Sequence, residues 1–391
     1  MPRFPIASKT TETLSARVFS GLVQKAKARE AAGHQVYWLT VGDTYLEPPA
    51  VARAEAQRTA DHPRLHNYAV PAGDPALLDA IGDKLSKQAG REIDRVLIQV
   101  QSGATAGLSV VVKALLDAGD EVLLPSPYWP LIRGIIAGRG ATPVEVPLWD
   151  RIDDESFDLE AVLEAALTPR TAAIYVNSPH NPTSRVLSEH HLEAVERVAE
   201  RHDLWVLCDE AYEELWFGDE AFAPVWNRPK LRDRAVATHT LSKGYGLAGA
   251  RIGYTHGPAA AMEAVRGAQT FMTYCAARPM QLGAAAAIRD DGGWADEARR
   301  LYREAGKKAA AAIGVPEPVG GTFLFFDSTP FRNEGETTLD FLARCLDAGV
   351  LMTPGRACGT AYDAFVRVCF TSLPPAALDE ALGRLQSVLH R

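Results

Sequence analysis

Apolar residues along this 391-residue chain arrive in two rhythms. RVLIQV (95–100), EVLLP (121–125), TPVEVP (142–147), TAAIYV (171–176), LWVLCD (204–209) and AVATHTL (235–241) have the length and β-branched content of buried strands. Between them, ATAGLSVVVKALLDAG (104–119), DLEAVLEAAL (158–167) and SEHHLEAVERVAERH (188–202) repeat apolar residues at helical spacing. Short apolar strands alternating with amphipathic helices predict a mostly parallel sheet covered on both faces. Toward the end the rhythm changes. ADEARRLYREAGKKAAAAI (295–313) reads as a long amphipathic helix, GGTFLFFD (320–327) and AFVRVCF (364–370) as strands, and PAALDEALGRLQSVLH (375–390) as a closing helix, the pattern of a smaller α+β unit.

In such a sheet, ligands collect where strands give way to loops at their carboxyl ends. After the first strand, QSGATAGL (101–108) places Gly103 where backbone can approach a ligand closely, and the amides of Ala104 and Thr105 open a helix that suits an anion. SPYWP (126–130) offers Trp129, as core or as a flat face for an aromatic ring, and NSPHNPTS (177–184) is a proline-punctuated loop rich in side-chain amides. Asp209 closes an apolar strand, where an unpaired carboxylate is costly. It must meet a cation or a donor, or cap the helix that AYEEL would start. In TLSKGYGLAGARIGY (240–254), Lys243 follows a core strand, and desolvation there favours the neutral amine that forms Schiff bases with carbonyls. Together these residues describe a pocket for pyridoxal 5'-phosphate.

Charge narrows the partners. With 41 basic and 49 acidic residues the net charge is −8, which argues against a nucleic-acid surface and for small-molecule partners. No run approaches the apolar length of a membrane span, and the start, MPRFPIASKTTETLSARV, lacks the apolar core of a signal peptide, so a cytoplasmic protein is expected. Cys208, Cys275, Cys345, Cys358 and Cys369 are scattered, without a C-x-x-C pair or zinc-like spacing, and read as reduced core thiols; no metal site is expected.

The order and spacing of NSPHNPTS, CDEAY (208–212) and LSKGYGLAGARIGY (241–254) resemble those of the class I/II, fold-type I, pyridoxal-phosphate-dependent aminotransferases of the aspartate aminotransferase superfamily, and the likeness runs from VGD (41–43) to VRVCF (366–370). The resemblance implies an α/β fold: a large domain (46–290) with a mostly parallel seven-stranded sheet, and a smaller α+β domain built from 1–45 and 291–391. It implies that Lys243 is the Schiff-base lysine and proton shuttle, that Asp209 keeps the pyridine nitrogen protonated, and that Asn181 and Tyr212 bond the ring hydroxyl. Trp129 would stack on the ring, and Gly103, Ala104, Thr105, Thr240 and Arg251 would hold the phosphate. Tyr68, in HNYAVPAG (66–73), would reach the phosphate of a neighbouring subunit, making a homodimer with shared active sites. Arg367 would clamp the substrate α-carboxylate beside Asn181, with Gly42 and Phe19 on the substrate side. The reaction implied is ping-pong transfer of an amino group from an L-amino acid to a 2-oxo acid.

Three positions depart from the family pattern: Ser184 for the usual glycine, Cys358 for an aromatic residue, and Asp43-Thr44 for Glu-Pro. The last two are expected where substrates are read. In one bacterial branch of the family a lysine at the site of Thr105 helps hold a side-chain carboxylate. With threonine there, and Phe19 and Tyr128 expected to line the pocket, the donor is predicted to have an uncharged, apolar or aromatic side chain, unless Arg17 or an arginine of a second subunit pairs with a carboxylate. Three other readings compete. A pyridoxal-phosphate lyase or cyclase could share the scaffold; a transcription regulator needs a DNA-binding module, and residues before 40 show none; a nicotinamide enzyme needs a G-x-G-x-x-G that the first helix lacks.

Overall fold

The structure is a computed structural model that describes residues 20–154 and 156–389. The first strand, β1 (Tyr37–Trp38), stands apart from the large sheet. That sheet contains β2 (Ile98–Gln101), β3 (Glu121–Ser126), β4 (Thr142–Pro147), β5 (Thr171–Asn177), β6 (Trp205–Asp209), β7 (Ala235–Thr240) and β8 (Gly253–His256), in the order β2-β8-β7-β6-β5-β3-β4. Neighbours from β7 to β4 run parallel, and β8 is antiparallel to both β2 and β7.

Six of these strands coincide with the apolar runs. In the first run, Arg95–Leu97 forms a single 3-10 turn and pairing begins only at Ile98. The seventh strand, β8, has only four residues and follows a glycine-rich turn, so no alternation betrays it. Gly253 admits it: a Cβ there would lie 2.4 Å from the His239 carbonyl and 3.0 Å from the Ala104 amide nitrogen.

Strand residues alternate between faces, and each face has its own core. Ile174, Val176, Val206, Cys208, Ala235 and Ala237 pack with the Pro75–Ala89, Leu159–Ala166, Glu189–Arg201 and Arg278–Arg289 helices. Ala173, Tyr175, Leu207 and Val236 pack on the other face, with Ala104–Leu115, Pro130–Arg139 and Ala259–Met272. Coverage of both faces accounts for the continuous apolar runs.

A third core gathers residues from Leu22 to Leu39, Tyr212 to Phe217 and Ala298 to Leu389. Here β9 (Phe323–Asp327), β10 (Val350–Leu351), β11 (Thr353–Pro354) and β12 (Phe365–Cys369) form an antiparallel β11-β12-β9 sheet and a parallel β1-β10 pair. The Trp294–Ile313 and Pro375–Leu389 helices cover it. Four of the five cysteines are buried and all are unpaired, while Cys275 is half-buried. Among the described residues no helix is long and apolar enough to cross a membrane.

Candidate active site

A cavity of about 780 Å³ opens at the carboxyl ends of β5, β6 and β7. Gly103 is not among its lining residues, but its φ of +83° suits glycine and it precedes the Ala104–Leu115 helix, so the amides of Ala104 and Thr105 are free of intrahelical partners. A Cβ on Gly103 would lie 2.6 Å from Arg251 Nη2. The guanidinium thus sits against the turn, with Nη1 donating to the Ala248 carbonyl at 2.9 Å. Thr240 closes β7 and caps the one-turn Leu241–Gly244 helix, accepting the Ser242 amide. Ala104, Thr105, Thr240 and Arg251 all line the cavity, as does Trp129, which precedes the Pro130–Arg139 helix.

Asp209 ends β6, buried and facing the cavity. Its Oδ2 accepts the Tyr175 hydroxyl at 2.6 Å and its Oδ1 the Ala211 amide at 3.2 Å, so it finds donors and, among the described residues, no ion pair. The Ala211 bond is a turn contact; the 3-10 turn that follows (Glu213–Leu215) is preceded by Tyr212. Burial raises the Asp209 pKa, opposed by these two donors and by His239. Asn177 reaches back from the end of β5, donating from Nδ2 to the Asp209 carbonyl at 2.8 Å and accepting the Asn181 amide at 2.8 Å. Asn181 then donates to the Tyr212 hydroxyl at 3.3 Å and accepts Nη1 of Arg367 at 3.0 Å. Arg367 Nη2 donates to the Thr40 carbonyl at 2.9 Å, its guanidinium lies 4.2 Å from the Phe323 ring centroid, and its Nε is buried without a partner among the described residues.

Lys243 lies in the short helix three residues past β7, one turn beyond the strand end. Burial pulls its pKa below the usual amine value, and the charge of Arg251 adds to this, while Asp43 and Cys369 oppose it. Desolvation therefore makes the amine easier to deprotonate.

On the opposite face of β7 lies a charged cluster that the sequence did not single out. His239 Nδ1 lies 2.9 Å from Glu213 Oε1, and His239 Nε2 lies 3.1 Å from His256 Nε2. Lys84, from Pro75–Ala89, places Nζ 2.6 Å from Glu213 and 2.7 Å from Glu214, and reaches the Tyr254 hydroxyl at 3.1 Å. The charges of Glu213 and Glu214 outweigh burial and hold Lys84 well above the usual amine pKa; the Lys84 charge likewise holds Glu213 well below the carboxylate range. Ligand atoms of Glu210, Glu213 and His239 come within 4.8 Å of one another, but the Lys84 ammonium already supplies the positive charge there.

Several expected residues lie elsewhere. Phe19 and Arg17 fall outside the described residues. Tyr68, expected to serve a neighbouring subunit rather than this cavity, is 85% exposed, its ring edge-on to Tyr274 at 5.3 Å. Tyr128, expected in the substrate pocket, lines instead the adjoining cavity that shares Thr105, buried beneath Pro130–Arg139 with its hydroxyl bonded to Glu145 at 2.7 Å, because a buried phenol follows its acceptor. Cys358 is also buried rather than reading substrate; its neighbour Ala357 lines the cavity. Gly42 lines the wall, where a Cβ would lie 2.5 Å from the Phe323 ring, whereas Asp43 and Thr44 do not. Ser184 holds a left-handed φ of +56°, which explains the usual glycine; its hydroxyl donates to the Phe323 carbonyl. Sequence reasoning missed Lys27 of Ser20–Ala31, an exposed cation on the cavity wall beside Val23 and Gln24.

The sequence pattern of the aminotransferase class I and II family matches residues 34–385. The chain is 30% identical to an aspartate aminotransferase of Streptomyces avermitilis, over 93% of this chain and 92% of that protein, and 30% identical to an arginine-pyruvate transaminase of Pseudomonas aeruginosa, over 88% of each. Among solved structures, the aspartate aminotransferase of Rhizobium meliloti superposes with a TM-score of 0.90 at 26% identity over all of both chains. The N-succinyldiaminopimelate aminotransferase of Mycobacterium tuberculosis gives 0.89 at 27% identity, covering 98% of this chain and 100% of that one. All four carry aminotransferase names, and the two solved structures share the overall fold of this chain. The chain belongs to the class I and II aminotransferase family and is a transaminase.

Proposed function

We propose that this aminotransferase carries pyridoxal 5'-phosphate on Lys243 and moves the amino group of an L-amino acid with an uncharged side chain to a 2-oxo acid, in two alternating half-reactions. The observation that carries the reading is the meeting of a half-buried amine, a buried carboxylate with no cation partner among the described residues and a buried guanidinium around one cavity. The residues fit the group. The turn at Gly103 is closed to a side chain by Arg251, which leaves that guanidinium and the Ala104 and Thr105 amides for a phosphate. Asp209 suits a protonated ring nitrogen, Asn181 and Tyr212 the ring hydroxyl, and Trp129 the ring face.

When bound, the cofactor supplies an electron sink for the bond broken at the substrate α-carbon and carries the amine between half-reactions. Lys243 Nζ, made easier to deprotonate by burial, takes the α-proton and later returns it. Arg367 orients the α-carboxylate from the cavity wall, where Asn181 and the Thr40 carbonyl fix the guanidinium. On the side-chain wall, Val23, Val41, Leu108 and Leu131 are apolar and Thr105 is neutral, which supports an uncharged donor. Lys27 favours a second reading, an acidic donor whose carboxylate it would meet at the mouth. A donor screen that follows the cofactor absorbance through single half-reactions decides between them: phenylalanine, tyrosine, leucine or methionine should react fastest. Aspartate or glutamate reacting far faster would overturn the uncharged reading and make Lys27→Ala the next variant.

The active unit is proposed to be a cytoplasmic homodimer with shared sites. Unpaired cysteines support the compartment. Exposed apolar residues support the dimer: Tyr68, Val70, Tyr274 and the 92%-exposed Phe271. Met272, next to Phe271, shares a second cavity with Thr105, so this surface adjoins the active site. Sedimentation should give a two-chain species, and Phe271→Asp should yield monomers with little activity. A fully active monomer would refute the shared site.

A further inference from the structure

Tyr175 is fully buried on β5, outside the cavity lining, in the core beneath the Ala104–Leu115 helix. In the parallel register Tyr175 lies opposite Leu207, and alternation puts Asp209, two residues on, on that same face. The phenol therefore reaches forward along the sheet, and its hydrogen bond goes to Asp209 Oδ2 at 2.6 Å. A phenylalanine would fill this apolar position without needing an acceptor, so the hydroxyl calls for a reason.

We propose that Tyr175 is the positioning residue for Asp209: its hydroxyl aims the carboxylate into the cavity and keeps it anionic and only weakly basic. The proposal rests on the reading of Asp209 as the group that meets the cofactor's ring nitrogen. Tyr175 ties down one oxygen and the Ala211 amide the other, so the carboxylate is held in one orientation from two sides. The titratable groups around it are Cys208 and Glu210 beside it in the chain, Tyr212 after them, Tyr175 from β5 and His239 from β7. The Ala104–Leu115 helix over this face has one charged residue, Lys113, in its last turn. Tyr175 is thus the side chain that donates directly to the acid.

The test has two arms. In the cofactor-free protein, the stabilities of wild type, Tyr175→Phe, Asp209→Asn and the double variant are compared between about pH 4 and pH 8. Burial raises the Asp209 pKa in the folded state, so the folded protein binds the extra proton and stability falls as pH rises from about 3.9 to the folded value. Loss of the Tyr175 donor raises that value further. The Phe variant should lose roughly tenfold in its folding constant for each added pKa unit, only above the ordinary Asp range. In the Asp209→Asn background the Phe substitution should have a small effect that does not vary with pH. A gap that is the same at every pH and in both backgrounds overturns the proposal, leaving a merely structural phenol.

In the second arm, NMR of isotope-labelled ring nitrogen follows cofactor bound to wild type and to Tyr175→Phe. A more basic Asp209 draws the shared proton toward oxygen, so the signal should move toward that of neutral pyridine. Replacement of Tyr175 by ortho-fluorotyrosine, a stronger donor with an intact ring, should move it the other way and guards against a misfolded Phe variant. An unmoved signal in both variants overturns the proposal. If wild type binds no cofactor, the functional reading falls instead, and the cofactor-free arm still decides whether Tyr175 tunes Asp209.

Discussion

Lys243→Ala is expected to lose turnover by orders of magnitude while the protein stays folded. Removal of the proton-transfer group alone accounts for about 10²–10⁴-fold, and loss of the covalent attachment adds to it. The site has been shaped for an amine that is easily deprotonated: Lys243 is half-buried, its pKa lowered by desolvation, with Arg251 near it. Folding does not depend on it, since burying an amine costs more than burying the alanine methyl that replaces it. The variant should still bind pyridoxal phosphate, through Arg251, Thr240 and Asp209, without a covalent link. Borohydride reduction followed by peptide mass spectrometry should find the cofactor on Lys243 of wild type and on no lysine of the variant. Near-normal turnover in Lys243→Ala would sink the assignment.

The largest effect on stability is expected at Lys84. Lys84→Met removes the ammonium that faces Glu213 and Glu214, leaving buried carboxylates uncompensated, which costs about 3–5 kcal/mol in well-characterised buried pairs. The sign of the pH dependence follows from the shifts. The Glu213 pKa is depressed, so its contribution is present above the ordinary Glu value of about 4.3 and fades as pH falls through the folded value. The Lys84 pKa is raised, so its contribution is present below about 10.4 and is lost as pH rises through the folded value. The gap between wild type and Lys84→Met in urea denaturation should therefore be widest between those limits and narrow in strong acid. A variant within about 0.5 kcal/mol of wild type at neutral pH would show that the cluster contributes no net stability.

Much of this molecule was legible in its sequence, because its signals were local. Apolar runs bounded by glycine and proline located six strands of the large sheet, and Asp209 and Lys243 were read from the chemistry their strand ends display, whereas Asn181 came only with the family resemblance. What stayed hidden depends on residues far apart in the chain. The strand β8 has too few residues for a period, and its place between β2 and β7 is set by a glycine that lets backbone meet backbone. Tyr128 looked like a pocket residue beside Trp129, yet its direction is fixed by Glu145, seventeen positions on. Tyr175 looked like one more apolar strand residue, and only the register of β5 against β6 brings it to Asp209. Lys27 lies on a helix with weak amphipathic patterning, and nothing local ties it to a cavity whose other walls come from residues 40 to 367.

The alternation of β7, with its continuation past β6, bears on how this enzyme can change. Thr240 faces the cavity and His239 the charged cluster, while Asp209 and Tyr212 are each followed by a cluster glutamate, Glu210 and Glu213. A random change along these segments therefore tends to injure either chemistry or folding, and the two liabilities are interleaved residue by residue. Val23, Gln24 and Lys27 on one helix, Val41 in a loop and Leu131 near the mouth belong to neither set. Mutational drift in substrate range has its open road there, and a library restricted to those five positions would sample new donors while leaving the catalytic frame intact.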